Sequence, residues 1–95
     1  MTRITEGRRA IAVCAKIRKS FEHITGEEML FLSVVTSAIK EAYGVPADID
    51  RVSRNRALRY IAGDMPHAQL IGLDPQWIKD LIKRAGLILP ADKRC

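Results

Sequence analysis

Ninety-five residues, 47% apolar and 28% charged, suit one helical or mixed domain with a single core and exclude a chain disordered throughout. The formal charge of +5 favours polyanionic partners such as nucleic acid, and it is unevenly spread: residues 1–25 carry +4, residues 26–50 carry −4, and residues 51–95 carry +5. Cys14 and Cys95 make no disulfide framework, no apolar run reaches the roughly 18 residues of a membrane span, and no charged-then-apolar secretion signal opens the chain, so a reducing bacterial-type cytoplasm is the expected location.

Residues 1–5 read as a short tail. From Glu6 to about Ile24, Ala10, Ile11, Val13, Cys14, Ile17, Phe21 and Ile24 recur in steps of three and four, the stripe of an amphipathic helix. Arg8, Arg9, Lys16, Arg18 and Lys19 lie largely off that stripe, and Cys14 reads as a small core residue. Thr25 and Glu28 have the spacing of a capping box, in which each side chain bonds the other residue's amide. The helix it opens, Glu27 to Tyr43, is apolar nearly all round, the pattern of a central and most buried element. Gly44 and Pro46 end it.

Asp48 or Asp50 caps a third helix that runs to about Ala62, with Ile49, Val52, Ala57, Leu58 and Ile61 apolar and Arg51, Arg54, Arg56 and Arg59 polar. Gly63 stops it, and Pro66 opens a short helix through Ile71, since the first helical turn needs no N–H from it. Gly72 allows a left-handed turn. Asp74 and Pro75 are an N-cap followed by proline at the first helical position, starting a last helix that runs to Ala85 and stops at Gly86. Leu87, Ile88 and Leu89 form an apolar strip expected to pack back on the core, and residues 90–95 form a polar tail. No repeat or strand-like alternation interrupts this pattern. The expected fold is all-α, a single domain built as a compact bundle of four to five helices, with a helix-turn-helix over about residues 66–86.

A helix-turn-helix needs a small residue where its helices cross closely, a glycine in the turn, an apolar plug after it, and apolar residues on the inner face of the second helix. Ala68, Gly72, Leu73, and Ile78 with Leu81 supply these in register, and Ile71 adds a further inward residue before the turn. The same residues also build an ordinary αα-hairpin. The stretch from Ala68 to Ile78, AQLIGLDPQWI, resembles the helix-turn-helix superfamily of bacterial and phage regulators. The wider arrangement over residues 29–86, an apolar helix followed by Arg56–Ile61 and Ile71–Pro75, looks like small prophage-encoded proteins.

The resemblance implies a small DNA-binding protein, a transcriptional regulator, that reads duplex DNA with the helix after Gly72. Its outward residues would be Gln76, Lys79, Asp80 and Lys83, with Arg84 near the end: Gln76 suits adenine edges, and Lys79 or Lys83 suits guanine or phosphate. Arg54, Arg56 and Arg59 would contact the flanking backbone. A homodimer is expected, because one short helix gives limited affinity and two half-sites multiply it, with the N-terminal stripe or Leu87–Leu89 as its interface. Asp74 and Asp80 oppose phosphate approach, and Pro75 offers no donor. These departures sustain an alternative, a protein-binding module such as a phage-encoded inhibitor or antiactivator of a host factor, anchored by Trp77 and Asp80. Trp77 itself reads first as a wedge between helices and otherwise as an exposed anchor. A third reading is RNA binding through Arg51, Arg54, Arg56 and Arg59, which lacks exposed aromatics for base stacking. Cys14, His23, His67 and Cys95 lack zinc-ligand spacing, and no nucleophile-base pair or phosphate loop is present, so neither an enzyme, a metal nor a cofactor is expected.

Overall fold

The computed structural model describes residues 2–21, 25–45 and 47–89, with side chains from Glu6 onward. Five helices follow one another, α1 (Thr2–Lys19), α2 (Gly26–Ala42), α3 (Arg51–Ala62), α4 (Pro66–Leu70) and α5 (Pro75–Arg84), and no strand occurs among the described residues. The all-helical expectation holds. Ile24, His23, Pro46 and the expected tail 90–95, with Cys95, lie outside the described residues.

α1 begins earlier and ends sooner than its apolar stripe suggests. No glycine or proline interrupts residues 2–6, so the helix extends through the expected tail at little cost. At its other end Ser20 and Phe21 donate to the carbonyls of Ile17 and Arg18, three residues back, tightening the last turn. Ala10, Val13, Cys14 and Ile17 are buried, but Ile11 is 50% exposed because it lies one position off the inward arc. Gly7 completes the arc. A Cβ there would stand 2.9 Å from Val45 Cγ2, so its absence lets α1 approach the turn after α2.

α2 is the hub, with α1, α3 and α4 packed on it, while α5 packs on α1. Its start is the expected capping box: Glu28 N–H donates to Thr25 Oγ1 at 3.2 Å, and Thr25 N–H donates to Glu28 Oε1 at 3.0 Å. Leu32, Val35, Thr36, Ile39 and Ala42 face the core, and the buried Thr36 hydroxyl is satisfied by the carbonyls of Leu32 and Ser33. The helix is central but not buried all round. Leu30 is 68% exposed, Val34 41%, and Met29 also faces solvent, because the neighbouring helices leave one arc of α2 uncovered.

Asp50, rather than Asp48, caps α3, accepting from Ser53 N–H at 3.2 Å. Hydrogen bonding by the Ser53 side chain first, and by its amide second, holds the Asp50 carboxyl below its ordinary value. Ala57 and Ile61 are buried, whereas Val52 is exposed on the first turn. Between α3 and α4, Met65 adopts φ 44, a left-handed conformation costing a residue with a Cβ about 1–2 kcal/mol. Its side chain is fully buried, worth about 1.5–3 kcal/mol, so packing outweighs the local strain. Beyond α5, Leu87 enters the core and Tyr43 Oη–H donates to Ile88 O at 2.9 Å, which returns this strip to the bundle while the Ile88 side chain stays in solvent. One apolar cluster draws residues from all five helices.

Candidate functional site

The unit from α4 to α5 is closed by backbone geometry. Gly72 sits at φ 81, its N–H donates to Gln69 O at 3.1 Å, and Leu73 N–H donates back to Ala68 O at 2.9 Å. This pair of bonds satisfies the last carbonyls of α4 and reverses the chain. Ala68 and Leu73 are buried on either side of the turn. Asp74 Oδ1 then accepts from Gln76 N–H at 3.1 Å, and Pro75 occupies the first helical position, so both expected start signals are in place.

Ile78, Leu81 and Ile82 form the buried side of α5. With 3.6 residues per turn, Gln76, Asp80 and Lys83 lie opposite them, with Lys79 on one flank and Arg84 and Trp77 on the other. Gln76, Lys83 and Arg84 are exposed, and Lys79 and Asp80 are half-buried. Trp77 is 37% exposed, so it is not the enclosed wedge first expected. It stands where the buried arc meets the outward one, with part of the indole on the bundle and part in solvent.

Charge on this face is arranged by the helix itself. The Asp74 carboxylate is committed to the N-terminus of α5, and Lys83 and Arg84 occupy the last turn, each complementing the helix dipole. Gln76 Nε2 donates to Asp80 Oδ1 at 3.1 Å, so the amide expected to meet a base is joined to an acid one turn along. The α3 arginines are placed differently. Arg54 is half-buried and its Nε–H donates to Ala42 O at 3.3 Å, satisfying a carbonyl at the end of α2. Arg51, Arg56 and Arg59 are exposed. The structure therefore brings Gln76, Asp80 and Lys83 onto one face of α5 with Lys79 and Arg84 on its two flanks, and it holds the arginines of α3 on the α2–α3 pair rather than on the α1–α5 pair.

A second feature was not anticipated. The uncovered arc of α2 and the facing side of α3 enclose a groove of about 520 Å³, within the range of ordinary ligand and peptide sites. Leu30, Val34 and Ala38 line it from α2, and Ala57 and Tyr60 from α3. At the end near the start of α2, His67 of α4 reaches in. Its ring lies 6.0 Å from Phe31 and 5.7 Å from Tyr60, and a 2.9 Å hydrogen bond joins His67 Nδ1 to the Tyr60 hydroxyl. Burial raises the Tyr60 pKa, and the His67 contact opposes that shift. At the other end, where Arg54 meets Ala42, Glu41 and Arg56 line the groove. The sequence signal for this groove was the excess of apolar residues around α2, more than its helical neighbours cover.

Cys14 is enclosed, its Sγ–H 3.3 Å from Thr36 O, and burial pushes the thiol up to about 11, so it stays protonated and unreactive at neutral pH. Among the described residues no three His, Cys, Asp or Glu side chains gather as a metal site, and no helix is long and apolar enough to cross a membrane. No protein-family model, no curated protein and no solved structure matches the chain.

Proposed function

We propose that the protein is a regulator that binds double-stranded DNA with the outward face of α5, in the manner of a helix-turn-helix. The observation that carries this reading is the register of the α4–α5 unit. Ala68, Leu73, Ile78 and Leu81 are all turned inward about the left-handed Gly72, which leaves Gln76 and Lys83 on the opposite side and Lys79 and Arg84 on its two flanks. The chain's charge of +5 supports it. Arg56 and Arg59, exposed on α3, are further candidates for phosphate contact, while Arg54 first serves the end of α2. A cytoplasmic regulator of phage or prophage origin, acting as a dimer on paired half-sites, fits the resemblance and the short α5.

Fluorescence anisotropy with mixed-sequence duplex DNA at low and moderate salt tests the reading. Each phosphate contact contributes about 0.9 to the slope of log affinity against log salt, so Lys79→Ala/Lys83→Ala should lower that slope by up to about 1.8 and weaken binding. Absence of binding by the wild type at low salt, or an unchanged slope in the double variant, refutes the assignment of α5. The exposure of Trp77 favours a second reading, an inhibitor or antiactivator of a host factor that docks at Trp77 and Asp80. In that case the wild type ignores DNA, and Trp77→Ala loses the protein complex while its circular dichroism still reports a folded helical chain.

A further inference from the structure

We infer that the groove between α2 and α3 receives a second copy of this chain, related by a two-fold axis running along the groove. The faces expected to pair from sequence are largely used within the bundle: Ala10, Val13, Cys14 and Ile17 of α1 and Leu87 after α5 are buried in the core, which leaves Ile11 and Ile88 exposed singly. Leu30 and Val34, in contrast, remain exposed and line a preformed groove with the partly apolar Tyr60 and His67 opposite them. Adjoining exposed apolar side chains of this kind are where association removes the most apolar surface from water.

Charge selects the occupant. Of the charged side chains on the two helices, Glu41 of α2 and Arg56 of α3 line the groove, one on each wall. A uniformly acidic partner meets the α2 wall unfavourably, and a uniformly basic one meets the α3 wall unfavourably. A second copy brings both walls. Rotation about an axis along the groove exchanges the walls and keeps the ends matched. Leu30 and Val34 of each copy then face Tyr60 and His67 of the other, and Glu41 of each faces Arg56 of the other. The two charge pairs form together and fix the register, the usual role of rim charges in an interface. The pairing would supply the second α5 that the duplex reading calls for, and it rests on that reading for its purpose alone. Association is measured without DNA, so either idea fails independently of the other.

The test is sedimentation equilibrium of the full chain from about 1 to about 300 μM, the range that detects micromolar association. The wild type is expected to dimerise. Glu41→Arg and Arg56→Glu should each weaken self-association by at least about tenfold, because like charges then meet across the axis. Mixing the two single variants should restore dimers, since each new charge meets its opposite in the other variant. An attraction confined within one chain gives no such rescue. Arg56 is exposed and Glu41 half-buried, and cooperative thermal melts verify that the variants are folded. A wild type that stays monomeric throughout, single variants that associate as the wild type does, or a mixture that fails to recover would each overturn the proposal.

Discussion

Met65 offers a test of the structure in which the usual order of two substitutions is reversed. The residue joins α3 to α4 at φ 44, ψ 68 with its side chain fully enclosed. Truncating a buried methionine to alanine costs about 2–5 kcal/mol through lost burial and the cavity left behind. Alanine keeps a Cβ and therefore keeps the left-handed strain of about 1–2 kcal/mol, while glycine removes it. Glycine is ordinarily the worse choice by roughly 0.5–1 kcal/mol, from the extra freedom it lends the unfolded chain. At position 65 the strain term is larger. Met65→Gly should therefore be as stable as Met65→Ala or more so, by up to about 1.5 kcal/mol, with both well below the wild type. In a domain of this size 1 kcal/mol moves the melting midpoint by about 4–8 °C, which circular dichroism resolves. Urea titrations with a common slope would show that folded-state stability is being compared. If Met65→Ala is the more stable variant by the ordinary margin, Met65 is not left-handed, and the path of the chain into α4 is not as described.

Other expectations are independent of this one. Gly72→Ala meets no atom within 4 Å of its Cβ, so its loss of about 1–2 kcal/mol comes from the backbone alone, and Gly72→Asn should recover part of it in the same melts. Gly7→Ala places a methyl 2.9 Å from Val45 Cγ2, a clash worth about 1–3 kcal/mol against the roughly 0.5–1 kcal/mol that alanine gains inside α1, so a net loss is expected in the same melts. A neutral result would mean that Val45 yields freely. Thr25→Ala removes half of the capping box and should cost about 1 kcal/mol in urea denaturation. Finally, Cys14 has its pKa raised from 9.0 to about 11. Below pH 9 the folded and unfolded chains both hold the thiol proton. As pH rises further the unfolded chain releases a proton that the fold retains, so stability falls across this interval until the folded thiol also ionises. Cys14→Ala should have a flatter pH profile there. An unchanged profile would assign the alkaline loss to other groups, such as Tyr43, which burial raises to about 12.

Part of the candidate site was legible in the linear chain. Gln76, Lys79, Lys83 and Arg84 follow a cap and a proline, and the inward spacing of Ile78 and Leu81 dictates that they face away from the core. What those side chains do once there depends on neighbours. Gln76 turns to Asp80 one turn along, and Arg54 is drawn to a carbonyl at the end of α2 twelve residues earlier, a contact that no period of its own helix announces. The groove shows the same division. The apolar excess of α2 was visible, but which arc would stay open was not.

By itself the sequence determined the helix starts at Thr25 and Asp74, narrowed the third to Asp48 or Asp50, and marked the stops near Gly44, Gly63, Gly72 and Gly86, because caps and turns are hydrogen-bond and dihedral chemistry among residues at most a few positions apart. Only the tertiary structure decided that Ile11, Leu30, Val34 and Val52 face water, that Trp77 is half outside, and that Met65 bears strain. Exposure is set by whether another helix lies over a side chain. That depends on the relative placement of elements distant in sequence, and the three helices packed on α2 leave part of it uncovered.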